Sequence, residues 1–200
     1  MEGRWIYTDS FGLLKQVPMD FEQTDNIFKT GDIFANRELL RVGHVPTLER
    51  VVGRDNEVTS IGQALGPATV GGPPENTIIY GKTGTGKSLV TRCVSREAHG
   101  EAETNGIAFQ HAYVDCSDYQ TETKASREMA RQLAANLGAE TDIPRVGIAA
   151  ADYRDITWDL LAEFAVDSFV VILDEIDKLD DDELFRSLSR ARESGKSATH

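Results

Sequence analysis

The sequence predicts an α/β fold, a parallel sheet with flanking helices, and three observations carry that prediction. A run of strand formers, Thr77-Ile78-Ile79-Tyr80, leads directly into Gly81-Lys82-Thr83-Gly84-Thr85-Gly86-Lys87-Ser88. That octet fits G-x-x-x-x-G-K-[ST], the phosphate-binding loop between a strand and a helix. Far downstream, Phe169-Val170-Val171-Ile172-Leu173 is apolar at every position and ends in Asp174-Glu175. A run without alternation is what a strand covered on both faces requires. Helical periodicities lie between the two, as expected of strand–helix–strand units.

The 200 residues allow one sizeable domain, or one domain and an arm. Hydrophobic content of 40% with 27% charged residues suits a packed globular core. There is no run of about 18 apolar residues, so no transmembrane helix is expected. The first residues, Met1 to Ser10, lack the apolar segment of a signal peptide. Both absences point to the cytoplasm. Cys93 and Cys116 form no C-x-x-C pair and are expected as reduced, structural thiols. His44, His99, His111 and His200 show no ligand spacing, which argues against a transition-metal site.

Net charge is −12. That argues against sequence-independent nucleic-acid binding. Two explanations stay open: the chain does not touch DNA, or it works in a high-salt cytoplasm with a local basic patch. The excess of Arg, 14 against 7 Lys, favours the second slightly.

Residues 1–26 show no clear period and are expected as a variable arm, with one short helix around Phe11 to Gln16. From Ile27 to Val52, small apolar clusters alternate with turn residues, as in an extended segment lying over the domain. A helix starts near Asp55, an N-cap candidate, with Val58, Ile61 and Leu65 on one face. Gly66 to Glu75 holds six glycines and prolines and is a loop.

The strand at 76–80 follows, then a helix from Lys87 to His99 that Gly100 should stop. Ile107 to Val114 is a second strand, closed by Asp115-Cys116-Ser117-Asp118. Glu122 to Leu137 is a long helix with a Met129, Leu133, Leu137 stripe and Gly138 as terminator. Pro144 to Ala151 is a linker. Tyr153, Ile156, Leu160, Leu161 and Phe164 mark another amphipathic helix. After the third strand, Asp180, Asp181, Asp182 and Glu183 open a helix, where acidic residues complement the dipole. Arg186, Arg190 and Arg192 along it are solvated by default. A neighbouring subunit or DNA is the alternative partner.

The chemistry of the two landmarks is complementary. Glycines 81, 84 and 86 let backbone N–H groups point inward at an anion. The helix that begins there adds its positive end. Lys87 can reach β- and γ-phosphates, and the Ser88 hydroxyl can ligate Mg²⁺. Asp174 can hold Mg²⁺ through its water shell, and Glu175 can polarise a water for attack on the γ-phosphate. Without the phosphate loop, those carboxylates would be an acidic loop beside a strand.

The two landmarks together resemble AAA+ ATPases, and among them the archaeal origin-recognition and Cdc-type replication initiators. The supporting segments are Ile33 to Leu40, His44-Val45-Pro46, Gly53-Arg54-Asp55-Asn56-Glu57, Tyr113-Val114-Asp115-Cys116 and Ile143 to Gly147. The resemblance spans about Ile27 to Ser194. It implies ATP and Mg²⁺ as cofactors, and Gly81 to Ser88 with Arg54 as the nucleotide site. Arg54 belongs to the segment resembling the family's adenine-side motif. It also implies Ser88 and Asp174 as metal residues and Glu175 as the hydrolytic residue.

The expected domains are an arm, 1–26, and a partial AAA+ ATPase domain, 27–200. The implied partners are origin DNA, a replicative helicase or other initiator subunits, and no membrane. A DNA-touching helical insertion should fall between Gly138 and Asp155, with Arg145 and Arg154 as the basic contacts. Family members continue into a sensor strand, an arginine finger, a helical lid and a winged helix, and none of these is readable before His200. The expectation is therefore ATP binding with weak or no turnover, in a sheet of low stability. The alternatives are a stand-alone P-loop NTPase or phosphotransferase, and a truncated, inactive product.

Overall fold

The computed structural model describes residues 5–8, 14–17 and 44–191. They belong to two compact units, Met1–His44 and Val45–His200. In the first, β1 (Trp5–Thr8) pairs antiparallel with β2 (Leu14–Val17), Trp5 opposite Val17. This replaces the helix expected around Phe11 to Gln16. Trp5-Ile6-Tyr7-Thr8 is a run of strand formers that gives Leu14 to Val17 a ladder to join, so a strand is the better local solution there. The expected extended segment lies mostly outside the described residues. Its last part includes a 3-10 turn at Leu48–Arg50.

The second unit is built on two parallel strands, β3 (Phe109–Asp115) and β4 (Ser168–Asp174), in register from Phe109 with Ser168 to Asp115 with Asp174. Among the described residues five α-helices accompany them: α1 (Asp55–Leu65), α2 (Lys87–Thr104), α3 (Glu122–Leu137), α4 (Ala150–Glu163) and α5 (Glu183–Ala191). The unbroken apolar run of β4 has a simple cause. Val170 and Ile172 pack with Ile61, Val90, Val94 and Phe109 on the α1–α2 side. Phe169, Val171 and Leu173 pack with Met129 and Leu184 on the other side. Each face has its own helices, so every position is apolar.

α3 begins and ends where its residues demand. The Thr121 hydroxyl accepts the Lys124 N–H at the start, and Gly138 closes the end in the left-handed conformation. At the start of α1, Asp55 is the first helical residue and Arg54 the cap. α2 does not stop at Gly100. It runs to Thr104, because Ala98 and Ala102 remain on its buried face. Gly106 ends it instead: φ there is +73°, and the Ile107 N–H reaches back to the Ala102 carbonyl at 2.9 Å.

The largest departure is at residues 76–80. They form no strand, and Ile78 and Tyr80 are 72% and 91% exposed. Among the described residues, β3 and β4 pair only with each other. A β-branched run has strand preference only where a neighbouring backbone completes its ladder and its side chains find a surface. No described strand offers either.

Candidate functional site

The phosphate loop lies between the exposed 76–80 segment and the first turn of α2. Gly84 and Gly86 have φ of +78° and +84°, a region that costs other residues about 1–2 kcal/mol. These turns curl the loop, and the Thr85 hydroxyl ties it by donating to the Lys82 carbonyl at 2.8 Å. The Lys87 ammonium sits inside the curl, donating to the carbonyls of Gly81 at 2.9 Å and Lys82 at 3.0 Å. Ser88, half-buried, is in the first turn of α2, where free N–H groups and the helix dipole favour an anion. An ammonium, a hydroxyl and helix N–H donors around left-handed glycines fit a phosphate chain.

The acidic half is fixed by β4. Asp174 ends the strand, opposite Asp115 of β3. Its Oδ1 accepts the Glu175 N–H at 3.0 Å, and its Oδ2 accepts the Tyr113 hydroxyl. Glu175 is exposed and has φ +49° and ψ +43°, one of two described non-glycine residues with positive φ. Holding such a conformation costs about 1–3 kcal/mol, and such strain clusters at functional sites. Beside them, Asp115 Oδ1 accepts both the N–H and the hydroxyl of Ser117, at 2.9 and 2.6 Å.

Nothing in the sequence alone marks Tyr113 as a site residue. Its signal is nonlocal: a tyrosine two residues before the end of one strand, beside an aspartate at the end of the next. Burial, with Asp174 and Asp115 nearby, pushes its phenol up and keeps it protonated. Cys116 is pushed up to about 11, first by burial and then by Asp115 and Asp174. Both cysteines are buried free thiols.

The outer edge of β3 is closed by amides. Gln132 accepts the Tyr113 N–H at 2.9 Å and donates to the Tyr113 carbonyl at 2.6 Å. Asn136 donates to the His111 carbonyl at 3.0 Å. Side chains of α3 thus stand in for a neighbouring strand. The Glu128 carboxylate accepts from Arg131 and from the Gln132 amide nitrogen, which fixes which end of the amide meets the Tyr113 carbonyl.

Arg54 donates to Glu57 at 3.0 Å in the first turn of α1. The two expected basic DNA contacts differ. Arg145 is exposed on the irregular segment between α3 and α4. Arg154 is not available: it pairs with Glu122 of α3, both side chains largely buried at 15% and 19% exposure. The expected helical insertion is irregular over residues 139–149 and becomes helical only with α4.

A family model described as AAA ATPase domain matches residues 50–198. The chain belongs to that family. It is homologous to archaeal ORC1-type replication proteins. It is 43% identical to ORC1-type DNA replication protein 2 of Halobacterium salinarum, over 86% of this chain and 65% of that one. It is also 43% identical to ORC1-type DNA replication protein 4 of the same organism, over 86% of this chain and 42% of that one. The ORC1 protein of Aeropyrum pernix, solved in complex with DNA, superposes with TM-score 0.68 at 25% identity, over 80% of this chain and 41% of that one. Cdc6p of Pyrobaculum aerophilum superposes with TM-score 0.63 at 20% identity, over 82% and 41%, and adds the fold alone. The AAA chain thus spans from about two fifths to two thirds of these relatives' lengths. No described helix is long and apolar enough to cross a membrane.

Proposed function

We propose that this chain is the ATP-binding part of a DNA replication initiator, acting in origin recognition and helicase loading, with weak or no hydrolysis by itself. One observation carries the reading. A phosphate loop with Lys87 inside its curl, at the start of α2, accompanies Asp174-Glu175 at the carboxyl end of β4, within an AAA ATPase domain related to ORC1-type proteins. Carboxyl ends of parallel strands are where open α/β sheets bind ligands.

The roles follow from the groups. Lys87 offsets phosphate charge, and the amides of Gly81 to Ser88 hold the phosphates with help from the α2 dipole. Ser88 and Asp174 hold Mg²⁺, and Arg54 borders the nucleotide. Bound Mg²⁺ would neutralise charge that develops on the phosphates. Glu175 orients and polarises a water. DNA contact by this chain is weak. Its charge is −12, and of its two expected insertion arginines only Arg145 is unpaired by a buried carboxylate.

The test is a titration of the purified chain with Mg²⁺–ATP. Saturable binding, lost in Lys87→Ala, is expected. Affinity retained in Lys87→Ala overturns the reading.

A further inference from the structure

The phosphate loop and the acidic strand end belong to elements far apart in sequence, and one side chain touches both the strand end and the helix that carries the loop. Tyr113 donates its hydroxyl to Asp174 Oδ2. The Arg92 guanidinium lies over the Tyr113 ring, 4.8 Å from its centroid, a cation–π distance. Arg92 is one helical turn beyond Ser88, on the same helix that carries the phosphate loop. The Tyr113 backbone is clamped on both polar groups by Gln132. Ring, hydroxyl and backbone are each held by a separate partner.

We propose that Tyr113 is a positioning residue for Asp174, fixing its carboxylate for a divalent cation shared with Ser88. The inference rests on the proposed metal role of Asp174. A carboxylate can rotate about its last bond and present either oxygen. Here both oxygens are engaged, Oδ1 by the Glu175 N–H and Oδ2 by the phenol. A carboxylate oxygen accepts more than one hydrogen bond, so each keeps a lone pair for a water of a hydrated cation. The plane of the group is set before the cation arrives. Loss of such an outer partner commonly weakens metal binding by about tenfold or more. Arg92 ties the ring to α2, the helix that carries the phosphate loop.

The experiment is an ATP titration of the full chain in EDTA and in Mg²⁺, with a thermal melt of each variant. Tyr113→Phe keeps the ring, its packing and the Arg92 contact, and removes only the hydroxyl. The expected result is an unchanged affinity in EDTA and a gain from Mg²⁺ about tenfold smaller than in the wild type. Asp174→Asn should lose the gain, and the double variant should lose no more than Asp174→Asn alone. A Tyr113→Phe chain with the wild-type Mg²⁺ gain overturns the positioning role while leaving the Asp174 reading intact. An Asp174→Asn chain that keeps the gain, or a wild-type chain without one, overturns both. Should Tyr113→Phe melt early, Gln132→Glu keeps the phenol and disturbs its backbone clamp. A reduced Mg²⁺ gain in Gln132→Glu supports the role, and an unchanged gain in a folded chain contradicts it.

Discussion

Residues 77–80 and 169–173 are both runs of strand formers that deliver the chain to one half of the same candidate site, and they end in opposite states. The second is a strand, paired along its length with β3 and covered on both faces. The first is exposed and makes no ladder. Strand propensity does not separate them. What separates them is a partner: β4 has β3 beside it and helices on each face, whereas no described strand bonds 77–80. The acidic half of the site is therefore held by a sheet. The phosphate half is held by α2, by the turns at Gly84 and Gly86, and by the Lys87 bonds inside the loop.

The difference can be broken from the β4 side first. Phe109→Ala empties a fully buried site at the start of β3 and should cost about 3–5 kcal/mol in a denaturant melt. Ile78→Ala removes a side chain that touches mostly solvent, and should change stability by less than about 0.5 kcal/mol. Comparable costs for the two would mean that 76–80 is packed as a strand.

A smaller effect is expected where helix α3 closes the β3 edge. Gln132→Ala strands the N–H and C=O of Tyr113 at a half-buried edge, at a cost of about 1–3 kcal/mol. A neutral Gln132→Ala would show that water replaces the amide at no loss. On the acidic side, Glu175→Gly should stabilise the chain by about 1 kcal/mol by relieving a left-handed backbone. A loss of stability in that variant would show that the Glu175 side chain holds the turn.

The smallest effect is a pH dependence. Burial raises the Glu128 carboxyl, but hydrogen bonds from Arg131 and Gln132 outweigh it and hold the group below its usual range. A depressed folded value stabilises the fold above the unfolded carboxylate pKa, about 4.3, and that contribution fades as pH falls through the folded value. Glu128→Gln should flatten this part of the acid unfolding curve. An acid limb identical to the wild type would remove Glu128 from the account.

What the sequence made legible was local. Thr121 and Gly138 bracket α3 because cap chemistry is a property of a few adjacent residues. The apolar run of β4 and the glycine pattern of the phosphate loop are equally local. What stayed hidden depends on residues far along the chain. Gly100 carries a stop signal that burial of Ala102 overrides. Arg154 reads as a free cation until Glu122, on another helix, pairs with it. The strand preference of Thr77 to Tyr80 is real, but a strand also needs a neighbouring backbone, and among the described residues none pairs with it. Tyr113 becomes a site residue only when parallel pairing brings it beside Asp174.

Amide hydrogen exchange of the intact chain, with and without Mg²⁺–ATP, tests the central claim most directly. Without nucleotide, amides of 169–173 should be protected by orders of magnitude more than those of 76–80. With nucleotide, protection should appear at Gly84 to Ser88 and leave β4 as it was. Ladder-like protection of 76–80 in the free chain, or a phosphate loop whose exchange Mg²⁺–ATP does not alter, would contradict the account.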